Sequence, residues 1–169
     1  MFSRRMLIGS VSVSLLVRPL EAKADRVKSP PVVVHQHPTF SRDLVEAYDA
    51  LGYDIEDAYQ KFEQVRDAYL SKSPEKFCKV LAARFTMNLN GYSVIVLRGQ
   101  VQPLIRYKSL LFNRFALKRI EEADFLSVEP SVDGLSLGHG DLWLTPQCLD
   151  DACARSSLSL TVFNLWSDK

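Results

Sequence analysis

Asn90-Gly91 stands between two apolar runs at residues 85–89 and 92–97. A two-residue Asn-Gly link between such runs predicts a tight β-hairpin, because its turn needs positive φ at both central positions and these residues accept it. That hairpin divides the chain. Before it, apolar residues recur at three- and four-residue steps; well after it, they fall in extended runs.

Three helices are expected upstream. Ser41 caps the first, with Leu44, Val45, Tyr48 and Leu51 on one face and Gly52 ending it. Asp54 caps the second, where Ile55, Ala58, Tyr59, Phe62, Val65 and Tyr69 share a face and Lys61, Glu63, Arg66 and Asp67 meet water. Ser73-Pro74-Glu75 starts a third, with proline in the first turn and an acid behind the cap, running to about residue 83. After Gly99 closes the hairpin, residues 101–123 read as one long helix. It buries Leu104, Ile105, Leu111, Phe112, Phe115 and Ile120 and turns Lys108, Arg114, Lys118 and Arg119 to solvent.

A strand is expected over residues 135–145, then a loop holding two cysteines, then a last strand over about 157–166. Helices first and strands later indicate an α+β domain, with N-terminal helices packed on a curved antiparallel, cone-like sheet.

The chain begins Met1-Phe-Ser-Arg-Arg-Met-Leu-Ile8, so Arg4 and Arg5 precede an uncharged run, and Ala22-Lys-Ala24 supplies a small-x-small cleavage pattern. Residues 1–24 are expected to be a signal peptide, 25–40 an extended arm containing Pro30, Pro31 and Pro38, and 41–169 a single domain. The apolar run is too short for a permanent membrane anchor. The expected location is the periplasm. Ser3-Arg4-Arg5-Met6-Leu7-Ile8 fits a twin-arginine export signal, whose weakly hydrophobic middle matches Gly9, Ser10, Ser12 and Ser14; an ordinary signal peptide with a chance arginine pair is the alternative. The full chain has a formal net charge of +1; removal of Arg4, Arg5, Arg18, Lys23 and Glu21 would bring it to about −2, which offers nucleic acid no electrostatic attraction.

Of three cysteines, Cys148 and Cys153 are close enough in sequence to pair in an oxidising compartment, with half of a metal site as the competing reading. Cys78, flanked by Phe77, Val80 and Leu81, reads as a buried thiol.

Phe77-Cys-Lys-Val-Leu-Ala-Ala-Arg84, Asp133-Gly-Leu-Ser-Leu-Gly-His-Gly-Asp-Leu-Trp143, and Cys148 to Cys153 followed by Leu158-Ser-Leu-Thr-Val-Phe-Asn164 carry a resemblance. Together with the element order, they resemble small exported bacterial proteins of the nuclear transport factor two superfamily, whose cone-shaped α+β fold is also that of ketosteroid isomerase. Gly138, Gly140, Asp141 and Trp143 match a Gly-x-Gly-acid-x-Trp strand that, in that group, leads into a two-cysteine turn and a closing strand. The resemblance spans roughly residues 41–166. It fails where the group often carries an acidic or aromatic pair, a place held here by Tyr107-Lys108.

Candidate chemistry is sparse. His35 and His37 lie on one side of an extended segment, a spacing that suits zinc or copper only if other ligands converge; solvated imidazoles are the alternative. His139 and Asp141, two apart in an expected strand, would point to one sheet face and form an acid/base couple inside the cone, or else face water where the glycines bend the strand. Tyr48, Tyr53, Tyr59 and Tyr69 either line a pocket or, at helical spacing, pack the core. There is no Gly-x-Ser-x-Gly elbow, phosphate-binding glycine loop or dinucleotide fingerprint, and no cofactor is expected. These features point to a non-enzymatic binding protein for a small apolar ligand or a protein partner, such as an immunity or accessory factor. The rival is an isomerase- or dehydratase-like enzyme using His139 and Asp141. An open sheet face would also suit a homodimer.

Overall fold

The computed structural model describes residues 38–153 and 155–165. The expectations placed on residues 1–37, including Arg4, Arg5, Ala22, Ala24, His35 and His37, lie outside the described residues.

Helix α1 (Arg42–Asp49) begins where the Ser41 side chain accepts the Leu44 N–H, α2 (Ile55–Leu70) where Asp54 accepts from Asp57, and α3 (Pro74–Val80) where Ser73 accepts from Lys76. All three caps act where the sequence places them, each occupying a backbone donor that has no partner inside its helix. Ser73 also donates to a Glu75 oxygen at 2.7 Å, and that bond holds the Glu75 carboxyl below its usual range. Helix α3 stops at Val80, earlier than its apolar pattern implies, because Leu81 turns extended and pairs with Leu160.

The hairpin forms as read. β1 (Leu81–Leu89) and β2 (Tyr92–Leu97) are antiparallel, with Leu89 opposite Tyr92 across Asn90-Gly91.

Residues 101–123 are not one helix. They form α4 (Gln102–Arg106), α5 (Lys108–Leu111) and α6 (Arg114–Glu121). Tyr107 and Phe112 leave helical geometry, and Asn113 starts α6 afresh by accepting from the Phe115 and Ala116 N–H groups. The breaks change which residues each short helix buries. Leu104, Leu111, Phe112 and Ile120 are buried as expected, while Ile105 and Phe115 are exposed. Nor does every charged side chain on the helices meet only water: Arg66 of α2 reaches the Glu121 carbonyl at the end of α6 (2.9 Å), and Arg119 turns inward.

A short 3-10 turn at Phe125–Ser127 precedes β3 (Leu135–Leu137), β4 (Leu142–Cys148) and β5 (Ser156–Leu165). The sheet order is β2-β1-β5-β4-β3. It is α+β with a curved sheet, as expected, but mixed rather than wholly antiparallel: β1 and β5 run parallel at its centre. Parallel neighbours need a long crossover, and here the whole segment from β2 to β4 supplies it. Register breaks between Leu81 and Thr86 and between Trp143 and Leu144 bend the sheet.

On one face Phe85, Met87, Leu89, Leu144, Leu160 and Phe163 are buried in a single cluster with the helices. Its centre is aromatic. The Tyr69 ring lies 5.5 Å from Phe77, 5.2 Å from Phe112 and 6.4 Å from Phe163, and Phe77 packs edge-on against Phe85. A second cluster joins Tyr48, Tyr53, Tyr59 and Phe62 to Phe40 and Phe125, so the helical tyrosines act as packing. On the other face, Thr86, Asn88, Trp143, Val162 and Asn164 are half-exposed.

Candidate functional site

Residues 135–145 do not form the continuous strand that their apolar character suggests. Gly138, His139 and Gly140 all have positive φ (63°, 59° and 90°), so the chain reverses there and β3 pairs with β4 as a second hairpin. At Gly138 glycine is required twice over: besides its φ, a Cβ would lie 2.7 Å from Ile120 Cδ1 and 2.9 Å from Asp141 Oδ2. His139 takes the same left-handed backbone without that freedom, which costs energy for a side chain with a Cβ.

The turn drives Asp141 into the interior, where it is 0% exposed. A buried carboxylate needs a partner. Arg119, on the last turn of α6, provides it: Nε donates to Oδ2 at 2.7 Å and Nη2 to Oδ1 at 2.8 Å, the two-pronged geometry natural to guanidinium and carboxylate. Arg119 itself is 23% exposed, so the pair closes the interior on one side and meets solvent on the other.

Asn164 of β5 secures the same turn from the sheet. Its backbone N–H donates to the Asp141 carbonyl at 2.8 Å and its side chain to the Gly140 carbonyl at 2.9 Å. The chain of bonds continues across the sheet: Asn88 donates to the Asn164 side-chain oxygen, and Ser93 to the Asn88 oxygen. Beneath the ion pair, the Tyr69 hydroxyl donates to the Leu111 carbonyl. Burial pushes this phenol well above its ordinary range; the Asp141 charge adds to the shift and Arg119 opposes it.

His139 and Asp141 therefore come from one turn but face different surroundings. His139 is exposed, and both Asp141 oxygens receive bonds from Arg119; among the described residues, no hydrogen bond joins the two. His139 and Arg119 border an open cleft of about 430 Å³, with Glu122, Asp124, Ser127 and Glu129 on its other walls. Among the described residues, no cluster of histidines, cysteines and acids is placed to hold a metal ion.

Cys148 and Cys153 stand at disulfide distance with Cα atoms 4.7 Å apart, closing the loop beyond β4 at the far end from the turn. Cys78 is buried, as read. No described helix is long and apolar enough to cross a membrane.

Arg119 is the site residue that the sequence reading missed. Helical periodicity assigned it to solvent, yet an aspartate inside an apolar run already signalled a buried carboxylate in need of a cation. Asn88 and Asn164 were likewise visible as amides in strands, residues that strands disfavour unless their side chains are bonded. Comparison with protein-family models, curated proteins and solved structures finds no match for this chain.

Proposed function

We propose that this chain is an exported, periplasmic partner-binding protein of the nuclear transport factor two type, an accessory or immunity-like factor that engages a protein through its surface. The observation that carries this reading is the filled interior. Tyr69, Phe77, Phe85, Phe112 and Phe163 occupy the space between helices and sheet where a cone-shaped fold would hold a small molecule, and each is nearly or fully buried. Asp141 is committed to Arg119.

The surface supports a protein partner. Trp143, Val162, Thr86 and Ile95 lie side by side in one row across β4, β5, β1 and β2, flanked by the bonded amides of Asn88 and Asn164. Trp143 and Val162 also border a wide, open cleft of about 520 Å³ with Val132, Pro146 and Asn164, and so open a surface suits a protein better than a small ligand, which needs enclosure. Export through residues 1–24, with Arg4 and Arg5 recognised as a twin-arginine pair, places that partner outside the cytoplasm. Cys148 and Cys153 would oxidise there.

Co-purification from the periplasm at native expression, followed by titration of the purified partner, tests the reading. A single partner that binds in a saturable manner and loses affinity with Trp143→Ala supports it. A small molecule that raises the melting temperature of the isolated protein without any partner would overturn it. An enzymatic reading keeps one observation in its favour, the strained His139 backbone at the rim of the cleft. Turnover of an isomerase or dehydratase substrate that disappears in His139→Ala would establish it instead.

A further inference from the structure

Charge is not spread evenly along the chain. Residues 68–119 carry ten lysines and arginines against one acid, Glu75, whereas residues 120–153 carry eight acids and no lysine or arginine. A formal net charge of +1 conceals this division. The field that a ligand meets at a surface follows the local charge, not the total.

Within the basic stretch three cations converge on one groove. Lys72 follows the end of α2, Arg106 ends α4 and Lys108 opens α5, and with Ile105, Ser109 and Phe112 they line an open cleft of about 470 Å³. Among the described residues no acid lines this cleft, and none of the three cations forms an ion pair. Glu75, the acid of the stretch, receives the Ser73 hydroxyl instead. Helix ends explain part of the arrangement, since a cation is favoured where α2 and α4 finish; Lys108 stands at the start of a helix, where it is disfavoured. Bringing it beside the other two costs mutual repulsion, which an anion in the groove would remove.

The remaining walls are apolar. Ile105 is 42% exposed there, and Phe112 is nearly buried. A bare anion would use the cations and leave Ile105 in water, whereas a phosphate attached to apolar atoms would use both. The cleft is open, which suits a headgroup presented by a surface better than a free small molecule.

We propose that this groove receives the phosphate of an anionic lipid and seats the protein on an anionic bilayer surface. Lys72, Arg106 and Lys108 meet phosphate oxygens, and Ile105 enters the boundary between headgroups and acyl chains. Few cations and one apolar side chain give reversible attachment that salt weakens. The inference is independent of the proposed function, because the groove uses none of the residues in the Trp143 row.

Cosedimentation of the full chain with vesicles of about 30% phosphatidylglycerol in phosphatidylcholine, against phosphatidylcholine alone, tests it. The expected result is binding to the anionic vesicles that falls about tenfold or more in Arg106→Glu/Lys108→Glu. Arg42→Glu/Arg155→Glu changes the net charge equally at two other exposed positions and should cost less than about twofold. Circular dichroism checks that both double variants remain folded. Spin-labelled headgroups in the same vesicles give a local readout, separating the groove from any attachment through residues 1–24: they should broaden the amide signals of residues 105–109 before those of α2. Equal losses in the two double variants, equal binding to uncharged vesicles, or no selective broadening at residues 105–109 overturns the inference. So does polyglutamate bound as tightly as the vesicles, or inorganic phosphate bound at about 10 µM, since either would give the groove to an anion other than a lipid.

Discussion

The β1–β2 and β3–β4 hairpins differ in what holds their turns. Asn90-Gly91 is a local solution: both residues have positive φ, and nothing lies within 4 Å of where a Gly91 Cβ would sit. The turn at residues 138–141 depends on groups distant in sequence. Arg119 neutralises Asp141, Asn164 bonds Gly140 and Asp141, and Ile120 packs on Gly138. A turn held by its own residues is readable from them. A turn held by two other elements, α6 and β5, is not, and its stability is coupled to theirs.

The sharpest way to break this contrast is to remove the carboxylate. Asp141→Ala leaves Arg119 without its buried partner, and we expect chemical denaturation to show a loss of about 3–5 kcal/mol, with no comparable site in the first hairpin. Gly138→Ala comes next. A left-handed backbone and a Cβ pressed on Ile120 and Asp141 should together cost about 2–3 kcal/mol. Gly91→Ala carries the backbone penalty without the collision and should cost only about 1–2 kcal/mol in the same measurement. Equal losses for the two glycine variants would erase the distinction between the hairpins.

His139→Gly should have the opposite sign. Relief of the left-handed strain is expected to leave stability unchanged or raise it by up to about 1 kcal/mol, and a clear loss would mean that the imidazole supports the turn. A pH titration sharpens the picture from below the ion pair. Tyr69 has its folded-state pKa raised above the ordinary value of 10.0, so the folded protein holds that proton more tightly than the unfolded chain. Its contribution is complete below pH 10.0 and falls as pH rises beyond it; Tyr69→Phe should flatten that alkaline loss in pH-dependent unfolding.

Much of the architecture was legible. The caps at Ser41, Asp54 and Ser73, the Asn90-Gly91 link and the order of helices before strands act through neighbouring residues, and each appears where the pattern puts it. Periodicity failed over residues 101–123 because apolar spacing records which residues are buried, not whether one axis carries them. Asn113 competes for the backbone and starts a new helix with a different buried face. Apolar content likewise made residues 135–145 look like one strand, although Gly138 and Gly140 had signalled a bend.

At the candidate site, the sequence alone determined that His139 lies between two glycines and Asp141 follows the second, near a tryptophan and ahead of a cysteine pair. Tertiary structure decided what they do: Asp141 is buried and held by Arg119, and His139 is exposed at a cleft. The physical reason is the range of the forces. Caps and turns are settled by atoms a few residues apart, whereas a buried charge is placed by whichever cation the folded chain brings to it, and Arg119 arrives on a separate helix.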